Sequence, residues 1–164
     1  TTIRRADFLI DALLDERDEL FSDTRDTMWI KLLSTVHYKG IGKHILQRTV
    51  DNFEKIIELL GERRIVDVYF AACTGVDEED EVVLLKEFKE KLQSIETKKD
   101  ENSELIERNI KVLESTFTAA KKHIEETAFQ RKELRTWLDK EYPNLIKIES
   151  SENDSDLYIT RTTT

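Results

Sequence analysis

The chain has 164 residues, 38% hydrophobic and 37% charged, with a formal net charge of −9. One proline and four glycines are too few for the many turns of an all-β fold, and the negative charge argues against broad binding to nucleic acid or anionic membranes. No apolar run reaches the ~18 residues of a membrane span. The single cysteine, Cys73, excludes an internal disulfide and favours a reducing, intracellular compartment, cytoplasmic or nuclear. We therefore expect an all-α, intracellular helical bundle without a membrane partner.

The N-terminal half, residues 1–76, shows apolar residues at helical spacing in four segments. The predicted helices cover residues 3–21, 27–36, 42–60 and 65–73. Gly61 follows the third helix directly and is placed to terminate it. The last segment is short and strongly apolar, so a buried strand is its alternative.

Residues 77–142 are predicted to form a long helical hairpin. Asp77 is the expected N-cap of its first helix, because four acidic residues follow it in the first turn. The second helix is expected from Ser103 to Tyr142, a stretch without glycine or proline. Residues 98–102 are polar at every position and are expected to form the turn, although a continuous helix remains possible.

Apolar residues recur along the second helix at alternating steps of three and four, typical of a coiled-coil seam. The predicted interaction seam consists of Ile106, Ile110, Leu113, Phe117 and Ile124. The same spacing includes Ala120, Leu134 and Leu138, with Thr127 and Arg131 as polar interruptions. About forty helical residues span roughly 60 Å, whereas a domain of this size is roughly 40 Å across. Packing against the chain's own helices and association with another chain both remain open.

After Pro143 the pattern changes from helical spacing to alternation. Ile146 and Ile148 alternate with charged residues, and a second apolar group follows at Leu157, Tyr158 and Ile159. We expect residues 143–164 to form a terminal β-hairpin packed on the helices, because an isolated hairpin is marginally stable in water.

A Gly-Ile-Gly segment lies between two predicted helices, at residues 40–42. It resembles the hairpin of helix-hairpin-helix modules, in which such a turn presents backbone amides to a DNA phosphate. The resemblance implies a phosphate-binding site at Gly40, Gly42, Lys43 and His44. The simpler interpretation is a turn that requires the backbone freedom of glycine.

No catalytic or metal-binding motif stands out. His37 and His44 lie seven residues apart, and His123 is distant in the sequence, so the ligand count of a metal site is not reached. The sequence predicts neither enzyme activity nor a cofactor. The function it favours is a non-catalytic protein-protein interaction or scaffold module, with itself or a protein as partner. A nucleic-acid-associated protein using the glycine loop is the alternative.

Overall fold

The computed structural model describes residues 2–17, 19, 23–35, 40–97 and 103–143. Within these ranges the regular structure is helical, and the fold class predicted from the sequence, all-α, is confirmed. The helices are α1 (Thr2–Leu14), α2 (Arg25–Thr35), α3 (Ile41–Asp51), α4 (Phe53–Leu60), α5 (Glu62–Gly75), α6 (Val82–Thr97) and α7 (Ser103–Glu141). The predicted β-hairpin at residues 143–164 lies outside the described residues, apart from Pro143.

The chain divides into two compact units, Thr1–Ala128 and Phe129–Thr164. The first unit holds the buried core, which draws on α1 to α7 and is centred on the fully buried side chains Trp29, Phe53, Tyr69, Phe88 and Ile124. The rings of Phe53 and Tyr69 both meet Phe88 edge to face, with centroids 5.8 and 5.4 Å apart. The second unit is described over residues 129–143. The boundaries predicted from sequence, at residues 76 and 142, stay predictions.

The first helix is shorter than the sequence predicted, ending at Leu14 rather than near residue 21. The Asp15 side chain accepts a hydrogen bond from the Arg17 amide, 2.9 Å, which competes with helical hydrogen bonding. The buried Arg25 guanidinium donates to the Asp15 carbonyl oxygen at 2.7 Å, so a side chain from α2 satisfies a carbonyl group at the end of α1.

The predicted helix over residues 42–60 is interrupted at Asn52, which separates α3 from α4. Asn52 adopts φ −106° and ψ 22°, and its side-chain amide donates to the Arg48 carbonyl oxygen at 2.7 Å. Asparagine competes with the backbone in this way, so no glycine or proline is needed for the break. Gly61 ends α4 as predicted, with φ 84°.

Residues 65–73 form part of α5, so the strand alternative is wrong and the helical prediction is confirmed. The last residue of α5, Gly75, lies against α2. A Cβ atom added to Gly75 would lie 1.8 Å from the Leu33 carbonyl oxygen. Only glycine therefore permits this approach of the two backbones.

The entry into α6 differs in detail from the prediction. Glu78, rather than Asp77, is the N-cap of a short 3-10 turn, Glu79–Glu81, that precedes the helix. The buried Glu81 carboxylate accepts hydrogen bonds from the amides of Asp77 and Glu78, both 3.1 Å. This is a capping box, and burial raises the pKa of Glu81 above its usual range.

Helices α6 and α7 run antiparallel, because residues later in α6 meet residues earlier in α7. Asn109 donates to Glu96 at 3.1 Å, and further along Gln93 donates to Glu114 at 3.2 Å. The arrangement agrees with the predicted helical hairpin. The turn predicted at residues 98–102 lies outside the described residues.

Candidate protein-interaction surface

Part of the predicted interaction seam lies inside the first unit. Leu113 is 3% exposed and Ile124 is fully buried, and both belong to the core of their own chain. Phe117 is partly buried against that core, and Ile110 is half-buried. The side chain of Ile106 lies outside the described residues. In this part of α7, Leu113, Phe117 and Ile124 therefore pack against the core of their own chain, and partner binding by the predicted seam stays a prediction.

Polar contacts fix α7 to its neighbours at the same level. The buried Tyr69 hydroxyl donates to the Leu113 carbonyl oxygen at 3.1 Å. Lys89 is 6% exposed; its ammonium lies 2.7 Å from a Glu114 carboxylate oxygen and 4.5 Å from the centre of the Phe117 ring. The hydrogen bond from Lys89 holds the pKa of Glu114 below its usual range. These contacts orient the inward face of α7 and leave little of Leu113 for a partner.

The same spacing of three and four residues continues into the second unit, where most of the side chains at these positions are exposed. We define the C-terminal seam as Arg131, Leu134, Leu138 and Glu141, which follow one another in α7 at steps of three, four and three. Leu134 is 56% exposed, Leu138 is half-buried, and the two charged residues are exposed. Such a stripe can pack against another helix, with leucines as knobs and charges at its ends.

Aromatic side chains accompany the C-terminal seam. Trp137, beside the seam, is 51% exposed, and its ring meets that of Tyr142 edge to face at 5.8 Å. Three of the eight large hydrophobic side chains exposed among the described residues, Leu134, Trp137 and Tyr142, lie on or near the seam. Phe129 is also exposed, but five residues before Leu134 it lies on the far side of the helix from the seam. Sequence reasoning missed the aromatic members, because none falls on the seam.

The four residues of the predicted phosphate site do lie together, at the N-terminus of α3. Gly40 adopts φ 77° immediately before the helix, and Gly42 lies in its first turn. However, the Lys43 ammonium is 2.5 Å from an Asp80 carboxylate oxygen, and the His44 Nε2 atom is 2.6 Å from a carboxylate oxygen of Asp7. Both side chains thus face carboxylates of their own chain. Phosphate binding by this loop stays a prediction.

A cleft of about 460 Å³ lies in the first unit, bounded by α5, α6 and α7. Its apolar lining comes from Val66, Phe70, Val112 and Leu113, and its rim carries both acidic and basic groups. The residues come from three separate helices, so no sequence motif indicated it. Among the described residues, no group of three or more histidine, cysteine, aspartate or glutamate side chains could hold a metal ion.

A scan against protein-family models and searches of curated proteins and of solved structures each returned no match. Over the part of the chain that the structure describes, no helix combines the length and apolar character needed to cross a membrane.

Proposed function

We propose that this chain is a non-catalytic protein-interaction module that docks through the C-terminal seam of α7. The observation that carries the proposal is the exposure of Leu134, at 56%, on a helix where Leu113 and Ala120, at the equivalent position three and two heptads earlier, are 3% and 6% exposed. Trp137, beside the seam, adds a second large apolar side chain that is 51% exposed. Exposed apolar side chains clustered in one place mark interaction sites more often than scattered ones do.

The chemistry of the surface suits a helical partner. Complete burial of a leucine stabilises by about 1.5–3 kcal/mol, so a partner that covers the exposed part of Leu134 would gain roughly half of that. Tryptophan is enriched among the residues that dominate binding energy at interfaces. Arg131 and Glu141, at the ends of the seam, would select a partner by charge.

The proposal is tested by placing a photo-cross-linking amino acid at position 134 and, as a matched control, at position 136. Thr136 is also exposed, but two residues further along the helix its side chain lies on the opposite side from the seam. We expect a discrete protein adduct, with a second copy or with another chain, from position 134 and not from position 136. No adduct from position 134, or equal adducts from both positions, would contradict the proposal.

A further inference from the structure

We infer that the C-terminal seam fits a second copy of itself, lying antiparallel across a two-fold axis. The inference rests on the proposed function and names the partner for the same surface. It follows from the order of residues along the seam, which reads Arg131, Leu134, Leu138, Glu141. The order has a basic residue at one end, an acidic residue at the other, and two leucines between them.

A two-fold interface is self-complementary, so if one residue contacts a second, the second contacts the first across the axis. An axis at the level of Thr136 places Leu134 opposite Leu138 of the second copy. The same axis places Arg131 opposite Glu141 of the second copy. Two leucine layers are then flanked by two layers in which a guanidinium meets a carboxylate, a favourable, specific pair. No other register brings all four side chains into complementary layers.

A parallel arrangement of the two copies is disfavoured by the same residues. It would place Arg131 against Arg131 and Glu141 against Glu141, and like charges at close range are repulsive. Within one helix, Arg131 and Glu141 are separated by about 15 Å of rise, so they cannot neutralise each other. The charges therefore specify the antiparallel orientation.

The flanks of this interface set its strength. Trp137 lies close to the axis, where it can pack against its own copy on one side of the seam. Arg135 lies on the other side, where it approaches a second Arg135. The four layers span only about 15 Å of helix. The area that so short a contact buries is smaller than the ~800 Å² per partner of a standard interface. We expect a weak dimer, and Arg135→Ala should strengthen it.

The test is sedimentation equilibrium of the purified chain, up to about 1 mM. We expect the wild type to dimerise, and the single variants Arg131→Glu and Glu141→Arg each to associate at least about tenfold more weakly, because each brings like charges together. An equimolar mixture of the two variants should recover dimerisation, since in the mixed dimer both outer layers pair opposite charges again. The double variant Arg131→Glu/Glu141→Arg should recover it as well.

Helicity measured alongside mass separates association from folding. Arg131→Glu places a carboxylate four residues before Arg135, and Glu141→Arg places a cation at a helix C-terminus, so both changes suit the helix itself. Any of three results would overturn the inference. The wild type could be monomeric, the single variants could dimerise as well as the wild type, or the mixture of the two variants could stay monomeric. A monomeric wild type that still gives an adduct with another protein from position 134 would overturn the second copy alone and leave the proposed function standing.

Discussion

The ion pair between Lys89 and Glu114 is predicted to respond unequally to removal of its two partners. Lys89 is 6% exposed, whereas the Glu114 side chain is 52% exposed. Glu114→Ala leaves a buried ammonium without its carboxylate, and breaking a fully buried pair costs about 3–5 kcal/mol. A fully exposed pair contributes at most about 1 kcal/mol. The pair of Lys89 and Glu114 lies between these limits, because Lys89 is buried and Glu114 is half in solvent. We therefore expect Glu114→Ala to lower the free energy of unfolding by about 1.5–3 kcal/mol.

Lys89→Met should cost less than about 1 kcal/mol, because methionine keeps the apolar packing on Phe117 and the remaining carboxylate is half in water. In the Lys89→Met background, Glu114→Ala should then cost at most about 0.5 kcal/mol. Urea unfolding followed by circular dichroism at neutral pH gives all four corners of this cycle. Glu125→Ala is the matched control, because Glu125 is on the same helix and its pair with Lys121, at 3.9 Å, is exposed. A Glu114→Ala cost no larger than that of the control would refute the reasoning.

Further predictions concern the packing and titration of the first unit. Gly75→Ala should destabilise by about 3 kcal/mol, because its methyl group would overlap the Leu33 carbonyl oxygen. Gly61→Ala should cost about 1–3 kcal/mol although its surroundings are open, because φ 84° and ψ 159° lie in a region populated essentially only by glycine; urea unfolding measures both. Burial raises the pKa of Glu81, so folding favours its protonated form and the stability from that protonation is lost as pH rises through the folded pKa; Glu81→Gln should gain stability relative to wild type as pH rises from about 4 to 7. Burial also raises the pKa of Cys73 to about 11, so alkylation at neutral pH should be slow in the folded chain and accelerate on unfolding. Fast alkylation of Cys73 under native conditions would contradict its burial.

The local signals in the sequence predicted much of the helical structure. Gly61 ends α4 and the acidic run at residues 78–81 precedes α6, as expected from glycine termination and the helix dipole. The break at Asn52 was missed, because an asparagine can interrupt a helix or lie within it. The early end of α1 was missed for another reason. Arg25, which satisfies the Asp15 carbonyl, acts through a tertiary contact.

The sequence predicted the repeat of apolar residues along α7 but not which part of that repeat is exposed. Leu113 and Leu134 occupy equivalent positions of the same repeat, yet one is 3% exposed and the other is 56% exposed. Spacing along one helix shows which residues share a face and cannot show where the neighbouring helices end. The carboxylates beside Lys43 and His44 come from Asp80 and Asp7, 37 residues away in each case. Contacts between residues so far apart in the sequence cannot be predicted from local patterns.

The accessibility of Trp137 tests most directly whether the C-terminal seam is a docking surface. The chain has two tryptophans, and Trp29 is fully buried whereas Trp137 is 51% exposed, so iodide quenching of the fluorescence reports on Trp137. We expect quenching to decrease as the chain associates with itself or with a protein identified by photo-cross-linking from position 134. In the Trp137→Phe variant, quenching should stay low and should not change on association. Association that leaves the quenching of Trp137 unchanged would place the interface elsewhere and contradict the account.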